Sequence, residues 1–321
     1  MIVERFLTYL RAERRYSELT VRAYGDDIAE FSAFCLAEST RPRDLFSAPA
    51  DAPAEFDFTL VAPDDIRAWI IALSDPKSRS GKPLKAVSVN RKLCSVRALF
   101  RWLRKEGLIE KDPFLRIGFL KTPKKLPEYI PESKMQRVVE GLENPPQEED
   151  VIAMRNRLIV LMFYTTGMRL AELVGVNRGD FLPGFSELKV HGKGDKERIV
   201  PILVPVRRQI ERYLQEINRE NICKSGENSL FLTEKGDRIG RAEVYRVVRE
   251  ALGEAGIRGK RSPHVLRHTF ATHLLNSGAD MREIQELLGH ASLQATQVYT
   301  HNSITQLKDA YRRAHPRSKK E

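Results

Sequence analysis

Residues 262–301 read SPHVLRHTFATHLLNSGADMREIQELLGHASLQATQVYTH. Their periodicity predicts helices over 263–277, 281–288 and 293–301. His264 and Arg267 stand at i and i+3 on one helical face, where both can reach a single ligand. Five of the seven histidines, His264, His268, His273, His290 and His301, fall in this stretch. Taken singly, each has an ordinary reading: a helical histidine packs, an arginine such as Arg267 makes a surface ion pair, and Tyr299 is a helix tyrosine. Only the set asks for a chemical explanation. His264 and His268 at i, i+4 also resemble half of a zinc site, but Val265 stands where the HExxH motif has its glutamate, so no metal is expected.

Upstream, two short β-branched runs at 187–190 and 198–201 flank HGKGDKE, whose Gly192, Gly194 and Asp195 favour a turn. This predicts a hairpin with Lys193 in its loop. The loop lacks the GxxxxGK[ST] spacing of a nucleotide-binding P-loop and lies between strands rather than before a helix. Helices are expected over 132–142, 151–164 and 169–176 before the hairpin, over 204–220 and 242–255 after it, and over 304–314 in a tail. The uncharged run 158–168 lies between Arg157 and Arg169, far short of the roughly 20 residues that a membrane span requires. KTPKKLPEYIP, at 121–131, has three prolines and three lysines and reads as an extended linker. Before it come helices over 3–12, 19–37, 63–74 and 87–105. A stretch at 38–58 rich in Ala, Pro, Ser and Asp reads as an exposed loop. The expected fold is mainly α with a small antiparallel sheet, organised as a helical domain over 1–120, a linker over 121–131, an α+β domain over 132–302 and a tail over 303–321. Charges interrupt the apolar positions of the first helix, so it does not read as a signal peptide, and the cytoplasm is the expected compartment. Cys35, Cys94 and Cys223 are odd in number and outside any CxxC pair, as reduced thiols would be.

The 321 residues carry 54 Lys and Arg against 43 Asp and Glu, a net charge of +11 that favours a polyanionic partner. Almost all of the excess sits in 76–105, which holds ten basic residues (Lys77, Arg79, Lys82, Lys85, Arg91, Lys92, Arg97, Arg101, Arg104 and Lys105) and no acid. On the helix within it, Val89, Leu93, Val96, Phe100 and Leu103 form the stripe expected to be buried. Arg97, Arg101 and Arg104 fall on another face, suited to tracking phosphates. The competing reading is a solvated charged face.

Breaking a DNA strand while conserving its bond energy takes a side-chain nucleophile, cations around the phosphate and an acid for the departing 5′ oxygen. TTGMRLAEL, HGKGDKER, HVLRH, LLGHAS and VYTH, in that order, resemble the motifs of the tyrosine recombinase (phage integrase) family, and most of all those of its Xer branch. The likeness spans nearly the whole chain, since SVNRKLCSVRALFRWL resembles the helical DNA-binding domain of those proteins, with Arg91, Lys92, Arg97, Arg101, Arg104 and Lys105 as its DNA contacts. It implies two domains that clamp double-stranded DNA. It further implies that Arg169 and Arg267 grip the scissile phosphate, that His264 and His290 hydrogen-bond it, and that Lys193 protonates the 5′ oxygen. Tyr299 would be the nucleophile, with Glu172 orienting its neighbours; Glu172 also reads simply as an acid in the first turn of a helix. The intermediate would be a 3′-phosphotyrosine, needing neither ATP nor metal. Exchange between two duplexes implies four protomers, with a paralogous recombinase as a possible partner and the tail docking on a neighbour. The loops at 38–58 and 143–150 look longer than the family pattern, and no additional arm-binding domain is expected before the first helix. Integration of a mobile element, relaxation of supercoils in the manner of a type IB topoisomerase, and a noncatalytic architectural clamp are the alternative readings.

Overall fold

The computed structural model describes residues 2–38, 56–75, 83–123, 128–143, 149–192 and 197–289. The chain divides into two units, 1–125 and 126–321. In the first, helices α1 (Ile2–Ala12), α2 (Glu18–Glu38), α3 (Pro63–Ser74) and α4 (Ala86–Lys105) pack around Phe6, Phe31, Trp69 and Phe100, all at most 1% exposed. Phe31 meets Trp69 edge-on at 4.9 Å, the geometry the ring quadrupoles favour. The apolar stripe of α4, Val89, Leu93, Val96, Phe100 and Leu103, is fully buried, and each such side chain contributes roughly 2 kcal/mol of transfer free energy. The stretch read as an exposed loop at 38–58 is not exposed at its end. Phe56 and Phe58 are buried against one another at 4.8 Å and belong to this core, because two aromatic rings in so polar a run have nowhere else to leave water.

α2 and α4 are joined by one buried acid. Asp27, 2% exposed, accepts from Arg91 at 2.7 and 2.8 Å, from Lys92 at 3.1 Å and from the Ser95 hydroxyl at 2.8 Å. Burial alone would raise its pKa; the bonds from Arg91, Ser95 and Lys92 outweigh that and hold it below the usual value.

The second unit is built around a helix whose second half is apolar on all sides. α5 (Glu132–Glu143) precedes α6 (Val151–Thr166), which packs against α8 (Val204–Arg219), α9 (Arg241–Glu254) and α10 (Pro263–Asn276). A helix without a polar face belongs in a core, and from Leu158 to Tyr164 every residue of α6 is at most 2% exposed. Its two buried arginines are paired: Arg155 with Glu243 at 2.8 Å and the Leu232 carbonyl at 2.7 Å, Arg157 with Glu149 at 2.5 Å. Asp150 caps its start, accepting from the Ala153 amide at 2.6 Å. Gly167 ends it in the left-handed region at φ 60°. α7 (Leu170–Gly175) leads to the hairpin of β1 (Glu187–His191) and β2 (Glu197–Pro201), antiparallel with Lys189 opposite Ile199 and Val190 opposite Arg198. α11 (Met281–Leu288) starts on an Asp280 cap that accepts from the Arg282 amide at 2.7 Å. The fold is thus mainly helical with one small antiparallel sheet, as expected. The helix expected over 169–176 begins one residue later, with Arg169 extended as its N-cap (φ −78°, ψ 155°). The helices expected over 293–301 and 304–314 lie outside the described residues.

Gly167 is a junction of this unit. A Cβ there would overlap the Phe270 ring of α10 and come within 2.8 Å of Leu288 Cδ2 on α11. Gly167→Ala should therefore cost about 2–4 kcal/mol, from the left-handed backbone and overpacking together. Urea unfolding of the full chain checks this; a loss below about 0.5 kcal/mol would mean that α10 and α11 yield freely.

Candidate active site

Arg169 lies at the N-cap of α7, and Glu172, three residues on, reaches back to accept from the Arg169 amide at 2.7 Å. That is the capping arrangement a first-turn acid provides. The same carboxylate also accepts from the Arg169 guanidinium at 2.7 Å and, through both oxygens, from Arg198 of β2 at 3.1 and 2.8 Å. Arg267 of α10 places Nη1 4.0 Å from it. The two readings of Glu172 are therefore one: the acid caps the helix and gathers three guanidiniums.

Each of those guanidiniums holds a second partner at the end of α11. Arg198 Nε donates to the Leu287 carbonyl at 2.7 Å, Arg267 Nη2 to Leu288 at 2.6 Å and Arg169 Nη2 to Gly289 at 3.1 Å. Arg267 Nη1 also donates to the Gly167 carbonyl at 2.6 Å. The last carbonyls of a helix have no partner within it and carry partial negative charge, so cations are drawn there. Gly289, at φ 64°, ends α11 so that its carbonyl can turn to Arg169.

The electrostatics follow from three cations around one anion. Burial would raise the pKa of Glu172, but the bonds and charge of Arg198, then those of Arg169, bring it from 4.5 down to about 2. The pKa of Arg267 is lowered too, from 12.5 to about 10, because burial and the charge of Arg169 outweigh the attraction of Glu172. It remains charged at neutral pH. With three positive charges against one negative, the cluster keeps a positive excess in a partly desolvated frame, which suits a phosphate whose charge rises during reaction. Accessibility is graded: the side chain of Arg169 is 38% exposed, that of Arg267 11% and that of Arg198 5%.

Among the residues singled out in the sequence, Arg169, Glu172 and Arg267 come together here, and His264 is exposed in the first turn of α10, three residues before Arg267. Lys193, His290 and Tyr299 lie outside the described residues. His273 is a packing residue, set between the Tyr164 hydroxyl at 3.1 Å and the Ile130 carbonyl at 2.9 Å, its pKa lowered by burial. With Thr269, which accepts from the Ile130 amide at 3.0 Å, it pins the chain leading into α5 onto α10. Arg198 was not singled out by sequence reasoning. Its signal was the strand alternation of β2, where it shares the inward phase with Val200.

The basic helix α4 divides in two. Arg91 and Lys92 answer Asp27, and Lys92 also pairs with Glu30 at 2.7 Å. Arg97 donates to the Ile117 carbonyl and lies over the rings of Phe114 and Phe119, at 5.1 and 4.4 Å. Arg101, Arg104 and Lys105 are exposed, Lys105 lying 3.5 Å from Glu13. A run without acids in sequence is partly neutralised in space by the acids of α2. Among the described residues no group of three His, Cys, Asp or Glu is placed to hold a metal, and no described helix is long and apolar enough to cross a membrane.

Residues 128–306 match the phage integrase family, and residues 3–48 match the phage integrase N-terminal SAM-like domain. The chain belongs to the phage integrase family. The tyrosine recombinase XerC of Pelobacter propionicus is 36% identical over 317 residues, covering 99% of this chain and 96% of that protein. XerD of Oceanobacillus iheyensis is 32% identical over 317 residues, covering 98% of each. The fold is that of the XerH site-specific recombinase in its pre-cleavage complex with difH substrate, with a TM-score of 0.62 and 21% identity over 96% of this chain and 81% of that one. The protein is an Xer-like site-specific tyrosine recombinase.

The depressed pKa of Glu172 makes the recombinase's stability depend on pH with a definite sign. A carboxylate held at about 2, against 4.5 when unfolded, stabilises fully above 4.5 and loses that contribution as pH falls towards 2. The stability difference between wild type and Glu172→Gln should shrink by about 2 kcal/mol from pH 6 to pH 3 in urea titrations, since the variant lacks the titrating group. A difference constant across that range would mean that Glu172 is not held as an anion.

Proposed function

We propose that this recombinase cuts and rejoins double-stranded DNA at a specific recombination site through Tyr299. The phenolic oxygen attacks the scissile phosphorus, the P–O5′ bond breaks, and a 3′-phosphotyrosine and a free 5′ hydroxyl result. His264 takes up the phenolic proton, Lys193 delivers one to the 5′ oxygen, and His290 hydrogen-bonds the phosphate. Arg169 and Arg267 bind the nonbridging oxygens, where charge builds up in the transition state. Because one ester replaces another, the energy of the broken bond is kept for rejoining. The observation that carries this reading is the pair of guanidiniums at the start of α7 and on α10, fixed on Glu172 and on backbone carbonyls by contacts internal to the protein. The relatives of this chain are named tyrosine recombinases, which supports a tyrosine as the nucleophile here.

In this proposal the domain over 1–120 grips the duplex through Arg101, Arg104 and Lys105, which are exposed, together with Arg91, Lys92 and Arg97, of which Arg91 is also exposed. Strand exchange engages four protomers on two duplexes, positions that a paralogous recombinase can share, with the 303–321 tail docking on a neighbour. The biological task is resolution of chromosome or plasmid dimers in the cytoplasm.

Tyr299→Phe tests the reading, since it removes only the nucleophilic oxygen. Incubated with the DNA that this protein selects from a random-sequence pool, wild type should leave a covalent adduct that survives denaturing electrophoresis. The variant should bind that DNA with affinity within about threefold and leave none. An adduct in Tyr299→Phe would place the nucleophile elsewhere.

A further inference from the structure

Arg198 is the least accessible member of the arginine cluster, and its guanidinium is occupied on every nitrogen. Nε donates to the Leu287 carbonyl, and Nη1 and Nη2 form a two-pronged pair with the two oxygens of Glu172. With 5% of its side chain exposed, it has no face to offer a phosphate. It sits where Gly289 leaves room: a Cβ at that glycine would lie 3.1 Å from Arg198 Nη1. Its strand enters from the hairpin whose loop carries Lys193, five residues earlier in the chain, and the carbonyl it grips lies three residues before His290.

We propose that Arg198 is a positioning residue, the resident counterion of Glu172, which leaves the charges of Arg169 and Arg267 to the phosphate. The inference rests on the phosphate-binding role proposed above for those two arginines. Glu172 is needed to fix Arg169 in place, but a buried carboxylate beside a phosphate site is also a competitor for the same cations. Its negative charge lies 2.7 Å from Arg169 and 4.0 Å from Arg267. Without Arg198, that charge would fall on these two alone and weaken their hold on an oxyanion. Arg198 takes both lobes of the carboxylate on the side away from solvent. The two more exposed guanidiniums are then oriented by Glu172 without being neutralised by it.

A counterion and a mere structural strap predict different results. The probe is a nicked duplex carrying the site that this protein selects from random-sequence DNA, with the cut position mapped through the wild-type adduct. Arg198→Lys keeps the positive charge but loses the two-pronged geometry. Arg198→Gln keeps a donor but loses the charge. The proposal expects single-turnover cleavage by Arg198→Lys within about fivefold of wild type, and by Arg198→Gln slowed about 50-fold, with DNA affinity within about threefold for both. In the Glu172→Gln background, which has no anion to neutralise, Arg198→Gln should slow cleavage by less than about threefold further. Equal losses for Lys and Gln, or the full 50-fold loss persisting in the Glu172→Gln background, would make Arg198 a strap and overturn the proposal. Should Arg198→Gln fail to fold as judged by urea unfolding, Arg198→Lys decides alone: folded but slowed more than about 50-fold, it too overturns the proposal. If wild type forms no adduct through Tyr299, the proposed chemistry has failed instead, a result separate from the comparison of variants.

Discussion

The second unit depends on a single buried carboxylate. An ionised glutamate taken out of water costs several kcal/mol unless it is surrounded by donors, and Glu172 is surrounded by the guanidiniums of Arg169 and Arg198, with Arg267 close by. Those residues come from α7, β2 and α10, elements far apart in sequence. The carboxylate therefore acts as a fastener for three parts of the chain. Because the cations outnumber it, satisfying the acid leaves positive charge over, and that surplus is what a phosphate can use.

The end of α11 completes the frame. Its last carbonyls need donors, and the same three arginines supply them at Leu287, Leu288 and Gly289. Packing holds the parts in register: Gly167 lets α6 stop directly beneath Phe270 and Leu288, and its own carbonyl takes Arg267. α6, buried throughout from Arg157 to Thr166, provides the rigid support, so the arginines are set by backbone and core rather than by flexible loops. Preorganisation of this kind is what makes electrostatic stabilisation effective, since no reorganisation is needed when charge develops.

Much of this was legible in the sequence. The helix periods and the GKGD turn led to the elements, and the apolar stripe of α4 to its buried face. The grouping of Arg169, Glu172 and Arg267 came from the resemblance of the motifs to the tyrosine recombinase family, and the structure brings these three side chains together. Arg198 was harder to see because its importance is tertiary: nothing in ERIVP says that a charged inward side chain will find a buried acid 26 residues back. Within the basic run of 76–105, two charges, Arg91 and Lys92, are met by acids that lie far off in sequence. These acids, Asp27 and Glu30, are more than 60 residues away and one helix across, and the aromatic cover over Arg97 comes from beyond the end of α4. Composition reads charge along the chain, whereas folding decides which charges face water. Likewise Phe56 and Phe58 carry no periodicity, so only the packed core reveals them as anchors.

The central claim is that the proposed phosphate site is built from contacts internal to the protein. A crystal structure of the Tyr299→Phe recombinase with its selected duplex tests this most directly. The guanidiniums of Arg169 and Arg267 should keep their bonds to Glu172, to the Gly167 carbonyl and to the end of α11, while each also reaches a nonbridging oxygen of one phosphate at about 2.7–2.9 Å. Arginines that have left Glu172 and the α11 carbonyls to reach the phosphate, or a scissile phosphate bound elsewhere, would contradict it.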